Sequence, residues 1–381
     1  MAKAKKKTPT KGKLSLQDKL KMINKLAGSN VAYNLEEDNP TDVTEWIPTS
    51  SLWLDSIICR GKKAGIPMGK ISELAGLSST GKSYMAAQIA ANAQAQGCSV
   101  YYFDSESAID STFLEKAGCV VGAPGGGLGD FAYIQAQNVE FVLETIEMIL
   151  GSGEERNLFI WDSLALTPAI ADLEGDFNPQ STMAVKPRIL SKGLAKLLQP
   201  ISNSNSALLV LNQLKDNITR SPSEALTTPY FTPGGKALIY SYSLRIWLTG
   251  RKAKASFVYD DKGYRIGSEV KVKLEKSRFG TQGRTCNFKI LWGDEVGIQD
   301  EESWFDAISS SDCISNSGAW FSLDMGDGNF TKFQKSKFVD TLRSDEQFKN
   351  RVLSIIDEEV VMKFDKRLGE ASQYYDTEEK S

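Results

Sequence analysis

The chain has 381 residues, 41% of them hydrophobic and 24% charged, and a formal net charge of −3. This is the balance of a globular protein with room for one large domain and small appendages, and it excludes a uniformly basic chain that coats nucleic acid. The chain has no histidine, and its five cysteines are scattered without a C-x-x-C pair; this excludes imidazole bases, Ser-His triads, His-ligated metals and a disulfide frame, and points to reduced thiols in a cytoplasmic compartment.

In chain order, residues 1–13 are a Lys-rich tail, either an electrostatic arm or localisation signal or simply a solvated end. The tail lacks the apolar region of a signal peptide, and no apolar run in the chain approaches membrane-spanning length, so no membrane partner is expected. Residues 14–26 carry apolar residues near helical spacing, and Gly28 is a plausible stop. One short helix cannot form a domain, so it must pack on the core or on a neighbour. Residues 31–49 read as a linker with an extended segment.

Apolar strand candidates then alternate with helical stretches. The strands are 70–75, 99–104, 157–162, 207–212, 243–248, 269–275 and 287–291. The first four are short, strongly apolar and separated by helix-length segments, which predicts a parallel sheet with helices on both faces. The later strands alternate and are broken by hairpin-like residues such as Asp260 and Gly263, which predicts an antiparallel extension. From about residue 298 the pattern becomes that of a small α+β lobe ending in a mostly acidic tail.

Between the first strand and a helical run over 83–96 stand Gly76, Leu77, Ser78, Ser79, Thr80, Gly81, Lys82 and Ser83. This is a complete G-x-x-x-x-G-K-[ST] loop. Its backbone N–H groups can cradle the phosphates of ATP, Lys82 can reach the β/γ-phosphates, and Ser83 can ligate Mg²⁺. In open α/β sheets ligands bind beyond the carboxyl ends of the strands. Asp162 closes the 157–162 strand, where a carboxylate can hold the Mg²⁺ of a bound nucleotide. Asp104 and Glu106 follow the second strand. Either can orient the attacking water, or both can cap the next helix; spacing does not decide. A side-chain amide at the Asn212–Gln213 strand end can sense the γ-phosphate and pass its presence on. Two long polar segments, 172–182 and 215–236, follow strand ends on the nucleotide side. Loops of that length inside a compact domain are usually functional, and here they suggest a grip on a polymeric ligand. Lys186, Arg188, Lys192 and Lys196 could contact phosphates or form a solvated face.

Taken together, IPMGKISELAGLSSTGKS, VYYFDSESAID, LFIWDSLA, LLVLNQL, FTPGGKALIYSYSLRIWL and KLEKSRFG resemble the RecA recombinase family over roughly residues 45–300, most of all its phage UvsX-type branch. The resemblance implies an α/β fold: a RecA-type P-loop ATPase core whose mostly parallel twisted sheet is flanked by helices. It implies a tail, docking helix and linker over 1–44, an ATPase and DNA-binding core over 45–297 and a small C-terminal lobe over 298–381.

It further implies ATP and Mg²⁺ as cofactors, single- and double-stranded DNA as partners, self-association into helical filaments, and single-strand-binding and mediator proteins as further partners. The activity implied is homologous pairing and strand exchange with DNA-stimulated ATP hydrolysis, in the host cytoplasm if phage-encoded. Glu106 matches the family's water-activating glutamate, Asp162 its Walker-B acid and Gln213 its γ-phosphate sensor. Asp110 and Phe113 fall where the adenine is held. Lys276 and Arg278 fall where cations of a neighbouring subunit reach the ATP. Met183 and Arg188 align with the first DNA loop and its flank; Lys215, Ile218, Gly234, Gly235 and Lys236 align with the second. Three departures stand out: Arg278 replaces one of the usual paired lysines, Pro187 breaks a segment helical in relatives, and Pro233 stiffens the Gly-Gly turn. The competing readings are a hexameric RecA-fold DNA helicase or motor, and a non-catalytic ATP-gated scaffold on single strands.

Overall fold

The computed structural model describes residues 14–37, 39–122, 125–153, 156–175, 184–217, 229–250, 256–292 and 296–361. The Lys-rich and acidic tails, most of the 172–182 segment, Met183 and Ile218 lie outside them. The chain divides into two compact units, Met1–Thr44 and Glu45–Ser381. Among the described residues no helix is long and apolar enough to cross a membrane.

The first unit is built on α1 (Leu16–Ala27). The Ser15 hydroxyl caps its start by accepting the Asp18 N–H at 3.1 Å, and Gly28 ends it in the left-handed conformation, as the sequence predicts. Asn24 fastens the chain that follows, accepting from the N–H groups of Val31 and Ala32 at 2.9 and 2.8 Å. No residue of α1 is buried, and Leu16, Met22, Ile23 and Leu26 present an apolar stripe.

The second unit opens with the short strands β1 (Trp46–Ile47) and β2 (Ile66–Pro67), which pair across α2 (Leu52–Ile58). Its centre is β3 (Ile71–Gly76), followed by α3 (Lys82–Ala95), β4 (Ser99–Asp104), α4 (Ser111–Lys116), β5 (Phe131–Gln135), α5 (Val139–Ser152) and β6 (Asn157–Asp162). Then come α6 (Ile170–Glu174), α7 (Val185–Asn203), β7 (Ala207–Gln213), the short pair β8 (Lys215–Asp216) and β9 (Tyr230–Phe231), α8 (Lys236–Ser241) and β10 (Leu244–Thr249). The strands β11 (Phe257–Tyr259), β12 (Arg265–Ser277), β13 (Thr285–Trp292) and β14 (Val296–Gln299) finish the sheet. Its order is β14-β13-β12-β10-β3-β7-β6-β4-β5, with β11 paired to β12.

Six strands from β10 to β5 run parallel. The antiparallel extension therefore begins at β12, one strand later than the sequence pattern suggests. Alternate residues of the buried strands feed two helical layers. Leu158, Ile160, Leu209 and Leu211 pack with Met85, Ala86, Ile89 and Ala93 of α3. Phe159, Trp161, Leu208 and Val210 pack with Val142 and Ile146 of α5 and Leu190, Leu194 and Leu197 of α7. Full burial of each larger side chain contributes about 1.5–3 kcal/mol. Pro187 does not break α7. It occupies the first turn, where a backbone N–H has no intrahelical acceptor, so the ring costs no bond.

Residues 301–361 carry a core of their own, centred on Phe305, Phe333, Phe338 and Phe348, over a three-stranded antiparallel sheet of Ile314–Ser317, Trp320–Asp324 and Phe330–Gln334. Where they meet α2, Asp300 accepts from Ser51 Oγ at 2.8 Å, Trp53 N–H at 3.2 Å and Trp304 Nε1 at 2.8 Å. Nearby, burial pushes the Asp55 carboxyl from 3.8 up to about 7; hydrogen bonds from Thr49 lower it, and the Asp300 charge raises it further. The folded state thus keeps a proton that the unfolded chain releases near pH 4. Stability from this group is complete below that pH and falls as pH rises to about 7, by about 4 kcal/mol. Asp55→Asn is expected to flatten the loss of thermal stability between pH 4 and 7. An unchanged slope would show that Asp55 ionises freely in the fold.

Candidate nucleotide-binding site

The strand ends assemble the site. Gly76 of β3 is in register with Gln213 of β7 and Leu248 of β10, and Asp104 of β4 with Asp162 of β6. Beyond Gly76 the backbone turns through Ser79 (φ 61°) and Gly81 (φ 84°) into α3. A methyl group on Gly81 would lie 2.5 Å from Ile290 Cδ1, the movable end of a side chain, so it is the left-handed conformation that demands glycine there. Thr80 Oγ1 donates to the Leu77 carbonyl at 2.8 Å and holds the loop closed. No side chain caps the start of α3, so its first N–H groups face the loop's concavity, a ready anion site.

Lys82 Nζ donates to the carbonyls of Gly76 and Leu77 at 3.3 and 3.0 Å. Burial lowers its pKa, while Asp162 and Glu106 oppose that shift. A partly desolvated ammonium resting on loop carbonyls is poised for a stronger anionic partner. Ser83 Oγ and Tyr102 Oη both donate to Asp162 Oδ2 at 2.8 Å. Burial raises the Asp162 pKa, those two hydrogen bonds lower it, and the charges of Glu106 and Asp104 add to the rise. The paired hydroxyl and carboxylate oxygens of Ser83 and Asp162 are a donor set suited to Mg²⁺.

The structure separates the two carboxylates that spacing left equivalent. Asp104 accepts from the backbone N–H groups of Glu106, Ser107, Ala108 and Ile109 at 2.8–3.3 Å and from Tyr133 Oη at 3.1 Å. It is committed to shaping the turn. Glu106 Oε1 accepts only the Ser163 hydroxyl, at 3.1 Å, among the described hydrogen bonds, and its side chain lines the cavity.

That cavity, of about 540 Å³, is walled by residues 78–84, Glu106, Asp162, Gln213, Arg265 and Trp292. Tyr84, Arg265 and Trp292 were not foreseen from the sequence. The Arg265 guanidinium lies 3.7 Å from the Phe257 ring centroid and 5.1 Å from that of Trp292. Asp110 and Phe113 do not line the cavity. Asp110 caps α4 through the Phe113 N–H at 2.7 Å, and Phe113 packs edge-on against Tyr84, centroids 4.7 Å apart. A second cavity of about 560 Å³ lies between β12–β13 and the C-terminal residues. Two of its lysines pair with its own acids, Lys289 with Glu302 and Lys335 with Asp306. None of residues 76–83 lines it.

The residues aligned with DNA loops cluster beyond the β6 and β7 ends. Arg188 and Lys192 are exposed, whereas Lys186 donates to the carbonyls of Leu164 and Ala165 at 2.8 and 3.1 Å, and Lys196 pairs with Glu147 at 2.6 Å. Lys215 is exposed on β8 opposite Phe231. Gly234 adopts φ 109°, and a methyl there would lie 2.2 Å from Leu238 Cδ1; a Cβ on Gly235 would lie 3.5 Å from Pro187. The two segments therefore meet. Lys236 begins α8, and its side chain lies outside the described residues.

Lys276 and Arg278 are absent from the cavity. Lys276 is in register with Arg245, and Arg245 with Glu73, three residues before Gly76 and hence roughly 10 Å from the phosphate loop along the sheet. Both bond to the end of α8: Lys276 Nζ to the Ile239 carbonyl at 2.5 Å and Arg278 Nη2 to the Tyr240 carbonyl at 2.9 Å.

A phosphate loop opening an uncapped helix, faced by Asp162 and Glu106 at adjoining ends of one parallel sheet, defines a P-loop NTPase. Residues 14–298 match the model of the RecA N-terminal domain. The chain is 31% identical to protein RecA of Fusobacterium nucleatum over 309 residues, 81% of this chain and 75% of that one. It is 30% identical to protein RecA of Chlorobaculum tepidum over 85% of this chain and 88% of that one, and 30% identical to protein RecA of Mannheimia haemolytica over 91% and 89%. The chain belongs to the RecA family and is, with it, a DNA-dependent ATPase.

Proposed function

We propose that the protein polymerises on single-stranded DNA as a helical filament and catalyses ATP-driven homologous pairing and strand exchange, as a UvsX-type phage member of the family acting in the host cytoplasm. The observation that carries the filament reading is the location of Lys276 and Arg278. Lys276 is level with the middle of β3 and Arg278 with its start, away from the strand end that carries their own phosphate loop, and both are tied to α8, the helix that follows the 215–236 segment. Cations placed there serve a nucleotide only in another copy. The 30–31% identity to the bacterial relatives supports a branch apart from them.

On this reading Gly76–Ser83 backbone groups and Lys82 hold the ATP phosphates, and Glu106 orients the attacking water. Mg²⁺, which Ser83 and Asp162 fit, neutralises phosphate charge when bound. Gln213 meets the γ-phosphate. The base lies toward Tyr84, Arg265 and Trp292, with Asp110 and Phe113 supporting that wall from behind. Arg188, Lys215, Gly234, Gly235 and Lys236, with Met183 and Ile218, form the DNA-facing loops. Residues 1–44 are a docking arm, 45–297 the ATPase and DNA-binding core and 298–381 a separate lobe; single-strand-binding and mediator proteins are the further partners.

Electron microscopy with a slowly hydrolysed ATP analogue and single-stranded DNA is expected to show open helical filaments. Closed six-membered rings would replace this reading with the hexameric motor.

A further inference from the structure

The deepest ion pair of the sheet lies outside the nucleotide cavity. Glu73, at the middle of β3, accepts from Arg245 Nε of the neighbouring β10 at 2.6 Å, and the two side chains are 1% and 5% exposed. Burying such a pair costs several kcal/mol of lost hydration per ion, and apolar side chains would stabilise the sheet at least as well. Among the described residues its remaining bonds lead to the end of β7 and to the residues just before the Gly234–Gly235 turn. Arg245 Nη2 donates to Thr232 Oγ1 at 2.9 Å. The other Glu73 oxygen accepts from Asn212 Nδ2 at 3.0 Å, and the same amide nitrogen donates to the Pro233 carbonyl at 3.1 Å. Asn212 Oδ1 accepts the backbone N–H of Gln213 at 2.9 Å.

The cluster thus has two ends. One is the Gln213 backbone, whose side chain lines the nucleotide cavity. The other is Thr232 and Pro233, the last residues before the Gly234–Gly235 turn. Asn212 is the hinge, because both of its N–H donors are engaged: its oxygen accepts from Gln213 and its nitrogen divides between Glu73 and Pro233. Because Asn212 Oδ1 accepts the Gln213 N–H while Nδ2 donates to Pro233, one amide couples the position of the Gln213 backbone to the bond with Pro233. A partly buried carbonyl left without a donor is destabilising, which biases two arrangements of the return arm.

We propose that Glu73, Arg245 and Asn212 are positioning residues that set the return arm of the 215–236 segment according to what Gln213 contacts. The inference rests on reading Gln213 as the γ-phosphate sensor and 215–236 as a DNA loop.

The test compares single-stranded DNA affinity in the presence of a slowly hydrolysed ATP analogue with that in ADP. Two variants of the full chain are used: Asn212→Ala, and Glu73→Gln combined with Arg245→Met, which removes both buried charges together. Analogue binding without DNA is expected to stay near wild type. The analogue-to-ADP affinity ratio is expected to fall by about tenfold. A merely structural role would lower both affinities together and keep the ratio, and that outcome overturns the proposal. In wild type, hydrogen exchange over residues 229–235 is expected to differ between analogue and ADP. That measurement keeps the proposal open to refutation if the double variant does not fold, since equal exchange also overturns it. A wild-type protein whose DNA affinity ignores the nucleotide overturns the sensor reading itself, whereas variants that switch normally overturn only the network.

Discussion

Glu106→Gln is expected to bind the ATP analogue and to retain nucleotide-dependent DNA binding, while turnover falls by roughly 10²–10⁴-fold, the usual contribution of a positioned base. The substitution keeps the shape of the side chain and an oxygen that can accept from Ser163 Oγ, as Glu106 Oε1 does at 3.1 Å. What it removes is the negative charge that can polarise a water. No imidazole exists to substitute, because the chain has no histidine. The neighbouring Asp104 cannot take over, since its oxygens accept four backbone N–H groups and the Tyr133 hydroxyl. Phosphate release measured with and without DNA, beside anisotropy of labelled DNA, separates the steps. Normal phosphate release would place the base elsewhere. Asp104→Asn should instead loosen the turn at 105–109 and lower thermal stability, so the two carboxylates are told apart by what each variant loses.

Much of this site was legible because backbone geometry and residue type are linked there. A loop that must turn through left-handed conformations and present N–H groups leaves a glycine signature, so residues 76–83 read directly. The strand preceding Asp162 is apolar on both faces because helices cover both, and it read directly as well. The edge strand β5 was missed, because only Phe131 of its five residues is buried and edge strands carry little apolar pattern. Tyr84, Arg265 and Trp292 had no local signal; they reach the cavity from three separated elements through tertiary packing. Pro187 misled because a proline reads as a helix breaker wherever it stands, yet in a first turn it costs nothing. Lys186 and Lys196 looked like phosphate contacts by charge alone. Hydrogen bonding to the Leu164 and Ala165 carbonyls and pairing with Glu147, respectively, engage them within the chain.

Arg278→Ala is expected to abolish most DNA-stimulated hydrolysis, by roughly 10³-fold or more if the cation acts on the transferring phosphate as a trans-supplied arginine does. Nucleotide binding by the isolated subunit should be unchanged, because Arg278 does not line its own cavity. Loss of activity alone cannot distinguish a trans role from damage to α8, whose end Arg278 holds through the Tyr240 carbonyl at 2.9 Å. Mixing resolves this. Lys82→Ala subunits lack a working phosphate loop but keep Arg278; Arg278→Ala subunits keep the loop. In a randomly mixed head-to-tail assembly, about a quarter of the junctions join an intact loop to an intact Arg278, so hydrolysis should recover to about that fraction of wild type. A cation acting within its own subunit would give no recovery at any ratio, since every subunit would lack one half of its site. Recovery requires each polymer junction to bring together the two groups that the sheet of a single chain holds apart.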